Sequence, residues 1–224
     1  MAPRFALLIV DLDGTLVDSE ALLVRQVNHT LAAHGFAPAP LRAVAATIGL
    51  PLDEVFRRAL PASDAEAIDA LCAHYRACAD TAEFVRQFRL YAGVSDTLTA
   101  LRAVPGLRIV VGTSKGRATT LDILAHCGIA AVIDAVLGGD SVTRGKPHRE
   151  MVDRARALFP TPAERTVVVG DTSFDIEMGK SAGAATCAVT YGMHDAHRLR
   201  DLQPDFLIDR FEAVREVVMT GVLR

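Results

Sequence analysis

The stretch Phe5-Ala6-Leu7-Leu8-Ile9-Val10, cut off by Asp11-Leu12-Asp13-Gly14, constrains the fold more than any other part of the chain. An apolar run with no polar alternation predicts a strand buried on both faces, as inside a parallel sheet. Parallel strands need crossovers of a dozen residues or more, usually helices. The run therefore commits the chain to alternating strands and helices. It also delivers Asp11 and Asp13 to the strand's carboxyl end, where open α/β sheets bind ligands. Asp13-Gly14 is by itself an ordinary turn after a strand. That explains the glycine and leaves two acids beside a hydrophobic run unexplained.

The expected alternation is interrupted once. Leu23, Val27 and Leu31, with Val24, mark one face of a helix over 19–34, which Asp18 or Ser19 can cap and Gly35 can stop. From Pro38 to Phe88 the pattern stays helical, with stripes at Leu52, Val55, Phe56 and Leu60 and at Ile68, Leu71, Cys72 and Tyr75. Gly49-Leu50-Pro51 reads as a loop between helices. Strands are then expected at 108–111, 135–137, 166–169, 186–190 and 206–208, with helices at 93–103, 118–127, 148–159 and 176–182 and a last one at the carboxyl end. This predicts an α/β fold, a doubly wound, Rossmann-like parallel sheet with an inserted all-helical lobe. The expected division is a core of 1–17 and 89–224 and a helical lobe of 18–88.

Totals narrow the function. Half of the 224 residues are hydrophobic and the net charge is −3, with no basic run to track a phosphate backbone, so nucleic-acid binding is excluded. The apolar residues ahead of Asp11 are too few for a signal-peptide core or a membrane span. Cys72, Cys78, Cys127 and Cys187 show no C-x-x-C pairing and read as buried or idle thiols. Together these lead to the expectation of a cytoplasmic protein.

Three predicted strands end in polar clusters, Asp11/Asp13, Thr113/Ser114 and Asp171/Asp175, and a loop with Gly145-Lys146-Pro147 can reach the same rim. Each has an ordinary explanation alone. Thr-Ser caps helices, a loop lysine is usually solvated, and acids suit a helix start. Together they place up to four carboxylates in one cleft, which is unfavourable unless positive charge sits among them. Lys146 supplies one charge and a divalent cation would supply two. All-oxygen ligands favour a hard ion such as Mg²⁺, which commonly takes one or two carboxylates and a substrate phosphate.

Asp11-Leu12-Asp13-Gly14-Thr15, Thr113-Ser114, Lys146-Pro147 and Gly170-Asp171-Thr172-Ser173-Phe174-Asp175 resemble the four ordered motifs of the haloacid-dehalogenase-like hydrolase superfamily. The resemblance implies that the helical lobe of 18–88 is a cap and that Asp11 is the nucleophile that forms an aspartyl-phosphate. Asp13 would be the general acid and then the base. It further implies that Thr113 or Ser114 and Lys146 bind the phosphoryl group. Mg²⁺ would be held by the Asp11 carboxylate, the Asp13 carbonyl and Asp171, with Asp175 orienting Lys146 or a metal-bound water.

An acid at position 13 favours phosphoryl transfer over dehalogenation, since halide leaves without a proton. Tyr91-Ala92-Gly93-Val94, Gly138-Gly139-Asp140-Ser141 and Val189-Thr190-Tyr191-Gly192 resemble phosphoglycolate phosphatases and their relatives. The reading is a phosphatase of small-molecule phosphate monoesters, with 2-phosphoglycolate a candidate, in a monomer or homodimer. A phosphosugar mutase of the β-phosphoglucomutase type and a non-catalytic phosphate sensor are the alternatives. Ile48-Gly49-Leu50-Pro51 reads equally as a helix–helix turn or as a loop over the site. Lys115 and Arg117 read as solvated, or as contacts for a second substrate anion. Arg149, where many relatives have proline, and His194 and His197 read as surface residues.

Overall fold

The structure is a computed structural model that describes residues 2–223. Strand β1 (Leu7–Val10) is followed by helices α1 (Glu20–Ala33), α2 (Leu41–Ala45), α3 (Leu52–Ala59), α4 (Ala65–Ala79) and α5 (Ala82–Val85). Alternation then runs through α6 (Val94–Arg102), β2 (Arg108–Gly112), α7 (Arg117–His126), β3 (Ala135–Leu137), α8 (Glu150–Leu158) and β4 (Thr166–Gly170). It ends with α9 (Ser173–Ser181), β5 (Ala185–Val189), α10 (Ala196–Asp201), β6 (Phe206–Ile208) and α11 (Val214–Thr220). Among the described residues no helix is long and apolar enough to cross a membrane.

The strands form one parallel sheet in the order β3-β2-β1-β4-β5-β6. The chain winds from β1 to one edge, then returns beside β1 with β4 and winds to the other. Winding therefore reverses between β1 and β4, and a crevice opens at the carboxyl ends of such strands. Val10 lies opposite both Val111 and Val169. Asp11, Thr113 and Asp171 thus leave the sheet nearly in step.

The unbroken apolar run of β1 has a physical cause. Leu8 and Val10 face one hydrophobic core with Ile109, Val111, Val167 and Val169, while Leu7 and Ile9 face a second with Val110 and Val168. Alternate side chains point to opposite faces, and both faces are covered by helices. The α1, α3 and α4 stripes pack into the first of these cores, with Phe56 and Tyr75 edge to face at 6.1 Å. Asp64 caps α4 by accepting from the Ala67 N–H at 2.9 Å.

One boundary moves in a way that matters. α9 begins at Ser173, not Ile176, because Thr172 and Asp175 form a capping box. Asp175 therefore sits in the first turn of the helix, beside Asp171.

Candidate active site

Asp11 follows β1, Asp171 follows β4, and Lys146 comes from the loop before α8; Asp11, Asp171, Asp175 and Lys146 are all buried. Lys146 is no solvated loop lysine. Its Nζ donates to Asp175 Oδ1 at 2.6 Å and stands 2.8 Å from Asp11 Oδ1. The second contact is an ion pair whose angles leave Asp11 Oδ1 without a hydrogen-bond donor. Burial pushes the Asp11 carboxyl well above the usual range; Lys146 opposes the rise, and Asp175 and Asp171 add to it. Asp171 is pushed up to about 7, by burial first and by the Asp175 charge second. Burial works against the Lys146 charge, yet Asp11 and Asp175 outweigh it and hold its pKa above the ordinary lysine value.

Each acid is fixed by neighbours. Thr15 Oγ1 donates to Asp171 Oδ1 at 2.7 Å and the Met193 N–H to Oδ2 at 2.8 Å. Tyr191 Oη holds the Thr15 carbonyl at 2.9 Å, so the segment around residue 191 braces the acid cluster. Thr172 donates to Asp175 Oδ2 from its hydroxyl at 2.6 Å and from its N–H at 3.1 Å. Gly14 has φ +80, and a Cβ there would run into the Asp171 carboxylate. Only glycine suits both the turn and the close approach.

The Asp13 side chain turns another way. Ser19 Oγ donates to its Oδ1 at 2.8 Å, and Lys115 Nζ lies 3.2 Å from its Oδ2. Ser19 stands at the N-cap of α1 but gives its hydroxyl to Asp13 instead of capping the helix. The solvated reading of Lys115 is corrected likewise. It is half-buried between Asp13 and the Phe88 ring, and although burial disfavours its charge, Asp13 holds its pKa above the ordinary value. Arg117 is exposed at the start of α7, and Arg149 pairs with Asp153 on the surface.

A cavity of about 640 Å³ opens over Asp11 and Asp13. Thr113, Ser114 and Lys115 line one side; Gly49-Leu50-Pro51, Tyr75 and Arg76 line the other. The Ile48–Pro51 loop therefore reaches the site. Ser114 Oγ donates to the Gly49 carbonyl at 2.6 Å, so in this arrangement Ser114 serves the loop. Thr113 Oγ1 accepts from the Lys115 N–H at 3.2 Å, and its own proton remains to be donated.

His194 is buried, contrary to the surface reading, whereas His197 is exposed. Its Nδ1 accepts from the Ser173 N–H at 2.9 Å, which places the proton on Nε2, 3.3 Å from the Ala46 carbonyl. This imidazole ties the α2 end to the start of α9. Burial pulls its pKa down to about 4, so the folded chain stays neutral where the unfolded chain, near 6.5, binds a proton. Stability is fully present above pH 6.5 and is lost as pH falls toward 4. His194→Gln is expected to flatten that part of the acid dependence, read from urea midpoints between pH 4 and 7. An unchanged slope would contradict this role. The sequence carries no signal for it, because His194 lies in a segment between β5 and α10 with no apolar periodicity.

The carboxylates suit a hard divalent ion. Asp11, Asp171 and Asp175 each offer an oxygen within 4.8 Å of the others. When ionised, three buried carboxylates against one ammonium leave two negative charges for a cation to offset, and Asp11 Oδ1 lacks a donor.

Comparison with known proteins identifies the family of the chain. The model of the haloacid dehalogenase-like hydrolase family matches residues 8–189. The chain is 36% identical over 211 residues to probable phosphatase IndB of Dickeya dadantii, covering 93% of this chain and 91% of that protein. It is 33% identical to a plasmid-borne phosphoglycolate phosphatase of Cupriavidus necator, covering 92% and 90% of the two chains. A haloacid dehalogenase-like hydrolase from Bacteroides fragilis superposes with a TM-score of 0.88 at 26% identity, covering 94% of this chain and 100% of that one. By its sequence, sheet order and overall likeness, the chain belongs to the haloacid dehalogenase-like hydrolase family.

Proposed function

We propose that the chain is a Mg²⁺-dependent phosphatase that hydrolyses small phosphate monoesters through a phosphoryl group carried on Asp11. The observation that carries this reading is Asp11 itself: a buried carboxylate on the cavity floor, 2.8 Å from a buried lysine and within reach of two more acids. Relatives named phosphatase support the reaction class. The phosphoglycolate phosphatase name makes 2-phosphoglycolate the first candidate substrate, and the pyrophosphatase PpaX of Halalkalibacterium halodurans, 28% identical, makes pyrophosphate another.

Asp11 attacks phosphorus; a carboxylate–phosphorus bond forms as the ester P–O bond breaks. Asp13, once protonated and turned away from Ser19 and Lys115, gives that proton to the leaving alkoxide. It then takes a proton from the water that attacks the phosphoryl group, which releases phosphate and restores Asp11. Lys146 offsets charge at Asp11 and the transferring oxygens, held on line by Asp175. Thr113 donates its hydroxyl to a phosphoryl oxygen; Ser114 does so only on turning away from Gly49. Mg²⁺, held by the Asp11 carboxylate, the Asp13 carbonyl and Asp171, would neutralise charge on nucleophile and phosphate. Residues 18–88 act as a cap over the core of 1–17 and 89–224, excluding bulk water and limiting substrate size.

Metal binding is expected to depend on pH. The folded pKa of Asp171, about 7, lies above its ordinary value of 3.8. The metal-free protein therefore loses stability as pH rises from about 4 to about 7, because the unfolded chain has already released the proton that the folded one retains. A cation must displace that proton, so the rise in Tm on adding Mg²⁺ should grow from pH 5 to above 7. A Tm gain independent of pH would contradict the ligand role of Asp171.

Lys115 and Arg76 are the cationic side chains on the cavity wall, placed for a second anionic group on the substrate. Lys115→Ala is expected to lower kcat for every substrate, because Asp13 loses its partner. It should raise KM about tenfold, about 1.4 kcal/mol, only for substrates with a second anion. Equal KM changes for 2-phosphoglycolate and a simple alkyl phosphate would contradict that placement.

The activity is tested with a panel of phosphate monoesters, pyrophosphate and sugar phosphates, measuring inorganic phosphate and sugar isomers. Mg²⁺-dependent phosphate release, abolished by a chelator, is expected. Isomer without phosphate, or no turnover at all, would overturn the assignment.

A further inference from the structure

We propose a second metal site in this protein, on the outer surface of the helices that follow β1, formed by His29, His74 and Cys78 and suited to Zn²⁺. His29 lies on α1; His74 and Cys78 lie on α4, one turn apart and on the same face. Each offers a ligating atom within 4.8 Å of the others. His29 is exposed and the other two are half-buried, so the cluster opens to solvent. His34, just beyond α1, adds a third imidazole, its Nε2 3.1 Å from His74 Nδ1. The His74 ring lies between the other two, with centroids 6.0 Å from His29 and 5.2 Å from His34.

The donor set decides the ion. Two imidazoles and a thiolate are borderline-soft ligands that favour Zn²⁺ over Mg²⁺, the reverse of the all-oxygen cluster at Asp11. Zn–N bonds of about 2.0–2.1 Å and a Zn–S bond of about 2.3 Å put ligating atoms about 3.3–3.6 Å apart. Closing from at most 4.8 Å takes small side-chain rotations on two helices that already pack together. A metal-bound imidazole usually donates its other ring N–H to a neighbour, and His34 is placed to accept it from His74. Solvent takes the remaining position.

Among the described residues the cluster has no carboxylate partner in an ion pair, and its internal hydrogen bond joins only His34 and His74. Three imidazoles and a thiol stand together on a surface where separated, hydrated side chains would cost less, and none of them contributes to the carboxylate site. The bound ion would clip α1 to α4. Tyr75, Arg76 and Ala79, next to its ligands on α4, line the substrate cavity, so the clip stiffens the helix that faces substrate.

Co²⁺ serves as the spectroscopic probe of this zinc site, added to the full-length protein with excess Mg²⁺ present to occupy the carboxylates. Expected are one equivalent bound, thiolate-to-cobalt charge-transfer absorption, and loss of that absorption on adding one equivalent of Zn²⁺. Cys78→Ser should abolish the band while melting at the parent temperature without added metal and retaining Mg²⁺-dependent activity. Cys127→Ser should keep the band. His34→Ala should weaken Zn²⁺ binding about 10- to 100-fold. No charge-transfer band, or one that survives Cys78→Ser, would overturn the proposal.

Discussion

Asp11→Asn is expected to abolish turnover, by about 10⁴-fold or more, while the protein stays folded. An amide oxygen cannot form the carboxylate–phosphorus bond, so the loss falls on the chemical step. The same change removes a charge from a site where burial, Asp175 and Asp171 all disfavour it. The metal-free variant should therefore melt no lower than the parent, with a gain that grows as pH rises. Steady-state assays with matched thermal melts separate the two effects. Lost activity with a collapsed Tm would mean that Asp11 is structural, and retained activity would remove it from the chemistry.

Lys146→Met should have the second large effect, this time on both stability and turnover. It strips from Asp11 and Asp175 the ammonium that they contact at 2.8 and 2.6 Å. Removing one member of a buried ion pair typically costs about 3–5 kcal/mol, because the remaining charge is left uncompensated. The damage should be greatest above pH 7, where Asp171 also ionises beside the stripped carboxylates, and smaller near pH 5, where Asp171 holds its proton. Mg²⁺ should recover part of it at high pH, and adding Asp175→Asn should recover part without metal. Chemical denaturation at two pH values, with and without Mg²⁺, measures this. A loss that ignores pH, Mg²⁺ and the second substitution would show that the lysine stem, not its charge, matters.

Much of this architecture was legible because it rests on local patterns. Phe5–Val10 announces a doubly buried strand, and the stripes on α1, α3 and α4 fix the helices that follow it. Asp11, Thr113 and Asp171 share a rim because strands of a parallel sheet all end on the same side. What could not be read depends on which way a side chain turns. Lys115 looks like a solvated lysine until Asp13 and Phe88 are found beside it, and Ser19 looks like a helix cap until its hydroxyl is seen on Asp13. Thr15 and the capping box of Thr172 with Asp175 had sequence signals, a hydroxyl after Asp-Gly and a T-x-x-D spacing. The His29, His74 and Cys78 cluster had none, because α1 and α4 bring together residues more than forty positions apart in sequence.

The central claim is that phosphorus is transferred to Asp11 before it reaches water. Acid-quenched turnover with Mg²⁺, followed by digestion and mass spectrometry of the peptides, tests it most directly. The account predicts a hydroxylamine-labile phosphoryl group on the peptide carrying Asp11, absent from Asp11→Asn and longer-lived in Asp13→Asn. A phosphoryl group on any other residue, or none under conditions where a phosphate burst is seen, would contradict it.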